Sequence, residues 1–130
     1  MKKNLLIFVS LICVLNTSHA EWIRYNVPES PKEAYFYDNV RIIKNQKIVA
    51  VWEKNNLNYF GYSDGMKYKS TLRRLLIDCS TYKFDVSSIR HYSEIDLKGA
   101  MNSLDFDGKN FTDIPINSPE EILAGIVCKK

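Results

Sequence analysis

The sequence predicts an α+β domain, an antiparallel β-sheet of about five or six strands with one C-terminal α-helix tied to it by a disulfide. Three observations carry that reading. Lys67 to Cys79 and Tyr82 to Tyr92 read as two long strands joined by a tight turn at Ser80-Thr81. Ser118-Pro119-Glu120-Glu121 has the spacing of a helix N-terminus. Cys79 and Cys128 are the cysteines that remain once an export leader is removed.

Residues 1–20 read as that leader. Lys2-Lys3 give a positive start, Leu5 to Leu15 an apolar core of signal-peptide length, and Ser18-His19-Ala20 a small-residue cleavage site after Ala20. A membrane anchor needs about 18 apolar residues, and this run is broken by Ser10, Asn16 and Thr17. Cys13 is not expected to carry a lipid, because Ile12 stands where a lipobox has a small residue. Removing 20 of the 130 residues leaves 110 (21–130), enough for one domain. Without Lys2 and Lys3 the basic count falls from 18 to 16 against 15 acids, so the formal net charge falls from +3 to +1. That excludes a nucleic-acid footprint, which needs a strong positive excess gathered on one face. No membrane span remains after cleavage.

An exported setting favours a disulfide, and two cysteines permit one pairing. Closing a loop of roughly 50 residues removes denatured-state entropy equivalent to about 4 kcal/mol in the chain-entropy model. The rival is a pair of free or metal-binding thiols, but zinc takes about four ligands and the only histidine after the leader is His91.

Taken in order, Trp22 to Val27 form a first strand that Pro28 stops. Glu29 to Glu33 are turn chemistry, Ala34 to Tyr37 a second strand, and Asp38-Asn39 a turn. Val40 to Ile43 and Lys47 to Glu53 flank Lys44-Asn45-Gln46 as a hairpin with a three-residue loop. The unbroken apolar run Ile48 to Trp52 belongs in the middle of the sheet.

Lys54 to Met66 reads as the longest irregular segment, with Tyr59, Phe60 and Tyr62 among asparagines and glycines. Long loops are often functional, so these aromatics either fold back onto the sheet or supply a contact surface. Strand alternation puts Lys67, Lys69, Thr71, Arg73, Leu75 and Ile77 on one side of the organising strand. Its basic half, Lys67, Lys69 and Arg73, is a candidate site for an acidic partner such as an anionic glycan, or else an ordinary solvated strand face. Ser93 to Asp113 reads as loop, with one further short strand near Phe106 or Phe111. The final helix then shows Ile122, Leu123, Ile126 and Val127 on one face. About ten residues make a marginal helix alone, so it must dock.

No catalytic constellation is present, and no cofactor or metal is expected. His91 lies between Arg90 and Tyr92 as a strand-end surface residue, Asp78 is placed to bond the local backbone, and Glu120 and Glu121 serve the helix start.

The marks Trp22-Ile23, Tyr37-Asp38 with Ile42, Val51-Trp52, Tyr68-x-Ser70 leading to Asp78-Cys79, Tyr92-Ser93, Ile114-Pro115 with Ser118, and Val127-Cys128 come in an informative order. Together the residues resemble the surface-adhesin protein E family across essentially the whole chain after the leader. The resemblance implies a helix held across an antiparallel sheet by a Cys79–Cys128 bridge. It also implies an exported or surface protein whose relatives bind host extracellular-matrix and plasma proteins and can form homodimers. Two features differ from those adhesins: the weak lipobox, and basic residues confined to Lys67, Lys69, Arg73 and Arg74. A periplasmic or secreted accessory protein, an inhibitor or envelope-assembly factor, is the other reading, so the expected location is periplasm, medium or cell surface.

Overall fold

The computed structural model describes residues 19–129. The expected leader, apart from its last two residues, lies outside them, as does Cys13.

Eight strands and one helix follow in the order β1 (Trp22–Tyr25), β2 (Ala34–Asp38), β3 (Ile43–Asn45), β4 (Ile48–Ser63), β5 (Met66–Asp78), β6 (Lys83–Glu94), β7 (Lys98–Asp105), β8 (Thr112–Asp113) and α1 (Pro119–Val127). A 3-10 turn, Ile95–Leu97, separates β6 from β7. All eight strands join one antiparallel sheet in the order β1-β2-β4-β5-β6-β7. The short β3 pairs with the start of β4, and β8 with the start of β6.

The apolar run of β4 is central because its two edges pair with different neighbours, β2 and β3 on one side and β5 on the other. On one face Val49 and Val51 of β4 and Leu75 and Ile77 of β5 meet Tyr25 and Tyr35 of the first hairpin. The helix lays Leu123, Ala124 and Val127 on this cluster. In β6 the register slips between the partners of Arg74 and Leu75, so Ser87 is the extra residue. That bulge changes the parity of the strand. Phe84 and Val86 therefore face the same side as Ile89 and His91.

At the helix start, Ser118 Oγ accepts from the Glu121 amide at 3.1 Å, as the spacing predicts. Glu121 Oε1 takes the amide of Asn117 rather than that of Ser118. Cys79 and Cys128 are bridged, with Cα atoms 5.5 Å apart, so the helix is fastened at its C-terminal end to the end of the long strand. Asp78 Oδ1 bonds the amides of Ser80 and Thr81 and closes the turn beside the bridge.

On the opposite face the ammonium of Lys54 stands 4.4 Å from the Phe36 ring centre and 5.1 Å from that of Trp22. The Arg90 guanidinium lies 5.6 Å from the Trp52 ring. These cations cover apolar surface that the single helix cannot reach.

Three local expectations are corrected. Residues 54–66 are not a loop: β4 continues to Ser63 through a register slip between Asn56 and Gly61, and a two-residue turn at Asp64-Gly65 leads straight into β5. The slip breaks the period of two that would have revealed a strand. Residues 93–113 hold β7, eight residues of edge strand whose side chains are almost all exposed and so carry no apolar alternation. The early hairpin turns on two residues, Gln46-Lys47, because Asn45 pairs directly with Ile48.

Candidate functional site

Beyond Asn56, β4 has no β2 partner, and β5 meets β6 only from Ser70 onward. Past these positions the end of the β4–β5 hairpin is held by its own pairs Gly61–Tyr68, Tyr62–Lys67 and Ser63–Met66, and it bends over toward β6 and β7. It is anchored at two points. Tyr68 packs on the His91 ring at 4.3 Å, and Asn102 Nδ2 of β7 donates to the Ser63 carbonyl at 3.0 Å. Tyr68 lies flat against Gly61, where an added Cβ would come within 2.2 Å of its ring, so only glycine fits.

The slip in β4 also sorts the residues that strand alternation had grouped. Lys67 and Lys69 bring their ammonium groups to 5.5 and 4.8 Å from the Phe60 ring centre. Tyr62 stands directly across from Lys67 and so shares its face. Phe60 is 53% exposed and Tyr62 68% exposed. Two aromatics and two lysines thus form one solvent-facing patch on the end of the hairpin. Tyr59 points to the other side, with Tyr35 and Tyr68.

Arg73 does not join the patch. It turns toward the helix, where Nε donates to Glu53 Oε1 at 2.8 Å and a terminal nitrogen to Glu120 Oε1 at 2.9 Å. Glu53 is 1% exposed, and its second oxygen accepts from the Tyr25 hydroxyl at 2.6 Å. Burial lowers the tendency of Arg73 to stay charged, but the carboxylates of Glu53 and Glu120 more than offset it and its pKa rises. Burial, then the Glu53 charge, pushes the Tyr25 phenol far above its usual value, so it donates and does not ionise. Glu120, read from the sequence as a helix-start charge, is a structural ion-pair partner. The signal that could have found it is a buried-face position: Glu120 precedes Leu123, Ala124 and Val127 at helical spacing.

Between the helix start and the hairpin lies a cleft of about 310 Å³ on the helix-covered side of the sheet. Its lining includes Tyr35, Tyr59 and Tyr68 with Glu33, Asn55 and His91. His91 is not the surface residue expected: it is buried under Tyr68 within β6, and its Nδ1 lies 3.0 Å from Asn102 Oδ1. The amide nitrogen of Asn102 is committed to Ser63, so its oxygen faces the ring and His91 Nδ1 is the donor. Among the described residues no group of three or more His, Cys, Asp or Glu side chains converges as a metal site would require.

This fold matches a sequence family. The model of the family described as surface-adhesin protein E aligns with residues 22–129. The chain belongs to the surface-adhesin protein E family. Solved structures of Haemophilus influenzae protein E are similar to it in fold. One, a second crystal form, has 17% identity and a TM-score of 0.64 over 85% of this chain and 88% of that one. Another, from a non-typeable strain, has 15% identity and a TM-score of 0.55 over 85% of each chain. No curated protein matches the sequence. Membership of the surface-adhesin E family supports a non-enzymatic surface adhesin, exported or at the surface, that binds host or surface molecules. No helix among the described residues is long and apolar enough to cross a membrane.

Proposed function

We propose that the chain, after loss of residues 1–20, acts as an adhesin-type domain over residues 21–130. Its contact surface is the end of the β4–β5 hairpin, formed by Lys67 and Lys69 with Phe60 and Tyr62, and with Tyr59 on the reverse side. The observation that carries this is two lysine ammonium groups seated on the half-exposed Phe60 ring. An aromatic beside fixed cations supplies both anchors of a binding hot spot, apolar area and directed charge. The partner is acidic: an anionic glycan, or an acidic patch on a host extracellular-matrix or plasma protein. Arg73 contributes from beneath by fixing the strand that bears the lysines.

Binding to an immobilised anionic polysaccharide such as heparin tests this. Wild type binds, and the affinity falls as salt rises through about 0.15 M. Lys67→Ala/Lys69→Ala lowers affinity by about tenfold, roughly 1.4 kcal/mol, without changing the melting temperature. Equal binding by wild type and the double variant removes the patch from the account.

A further inference from the structure

The cleft beside the helix start has a chemistry opposite to that of the lysine patch. Glu33 accepts from the Tyr35 hydroxyl at 2.5 Å, and a hydrogen bond from Tyr59 to the same carboxylate, followed by burial, raises the Tyr59 pKa. Among the described residues no cation forms an ion pair with Glu33, whereas the one guanidinium in the lining, Arg73, is already held by Glu53 and Glu120. Asn55 lines the same cleft, and its Oδ1 is buried without a hydrogen-bond partner among the described residues. A buried acceptor left unpaired is unfavourable. The cleft therefore offers a carboxylate, an orphan carbonyl oxygen and the half-exposed ring of Tyr59.

We infer that this cleft is a second binding site, one that receives a cationic side chain, a lysine or arginine presented by a partner protein. Such a group has donors and no acceptor, so it satisfies Glu33 and Asn55 together, while the exposed Tyr59 ring attracts its charge. A cleft of about 310 Å³, open to solvent on one side, accommodates one long side chain and leaves its backbone outside. The assignment does not rest on the lysine patch, which takes partners of opposite charge.

The test is a titration of the disulfide-bonded chain with Nα-acetyl-lysine methylamide and Nα-acetyl-arginine methylamide, followed by NMR of the tyrosine rings. Nα-acetyl-norleucine methylamide is the neutral control. The cationic probes shift Tyr35, Tyr59 and Tyr68 saturably at about millimolar concentration, and norleucine binds about tenfold more weakly or worse. Glu33→Gln and Tyr59→Ala, each with an unchanged melting temperature, weaken the cationic probes by about tenfold, and Lys67→Ala/Lys69→Ala does not. Equal responses to lysine and norleucine overturn the assignment, as do the absence of saturable shifts in those rings and undiminished binding by both folded cleft variants. The control on wild type decides the matter even where a variant melts early.

Discussion

Arg73 and Asp78 stand on the same strand, and neighbouring groups give their charges opposite settings. Arg73 is enclosed between two carboxylates, one of them fully buried. Replacing it with methionine strands Glu53 without a counter-charge. The expected loss is about 3–5 kcal/mol in urea unfolding, and Arg73→Met/Glu53→Leu recovers much of it. Asp78 is on the surface. Hydrogen bonds from Ser80, then from Thr81, lower its pKa from 3.8 to about 2. A carboxyl whose folded pKa is depressed stabilises the fold above its unfolded pKa and stops doing so as pH falls through the folded value. Wild type and Asp78→Asn should therefore differ in stability above about pH 4, and that difference should close by about pH 2. Thermal melts of both proteins across this range check the sign. The roles of these two residues were unequally legible. Asp78 bonds its own turn, as local sequence says it must, whereas the Arg73 partners come from residues 20 and 47 positions away.

At the scale of elements, the β4–β5 hairpin is where local pattern and structure part. Its turn, Asp64-Gly65, has positive φ at both residues, 48° and 75°, the geometry that a two-residue hairpin loop demands. A Cβ at Gly65 meets nothing, so Gly65→Ala isolates backbone strain from packing. It should cost about 1–2 kcal/mol by denaturant titration and leave the fold intact. The turn signal is present in the sequence, but the slip between Asn56 and Gly61 hides the strand leading into it. The terminal helix is the reverse case. Its cap, its first proline and its apolar face are all written within ten residues, and the structure places Pro119–Val127 as the spacing predicts.

At the scale of the molecule, the described residues form a sheet with one helix on one face, and a helix of nine residues cannot cover eight strands. The bridge compensates for the small docking surface by closing a loop of 49 positions. Reduction, or Cys79→Ser/Cys128→Ser, should lower stability by about 4 kcal/mol, read as a fall in the urea midpoint. If reductant leaves unfolding unchanged, the bridge has no such part. The same incomplete coverage leaves a cleft past the helix start. By itself the sequence determined the class, the helix, the cysteine pair and the central strand, because each depends on residues adjacent in the chain or on simple counting. Only the tertiary structure decided that Lys67 and Lys69 sit with Phe60 while Arg73 turns inward, and that Tyr35 and Tyr59 both bond Glu33. Those groupings follow from a strand slip and from contacts between distant segments, and no periodicity along the chain records either.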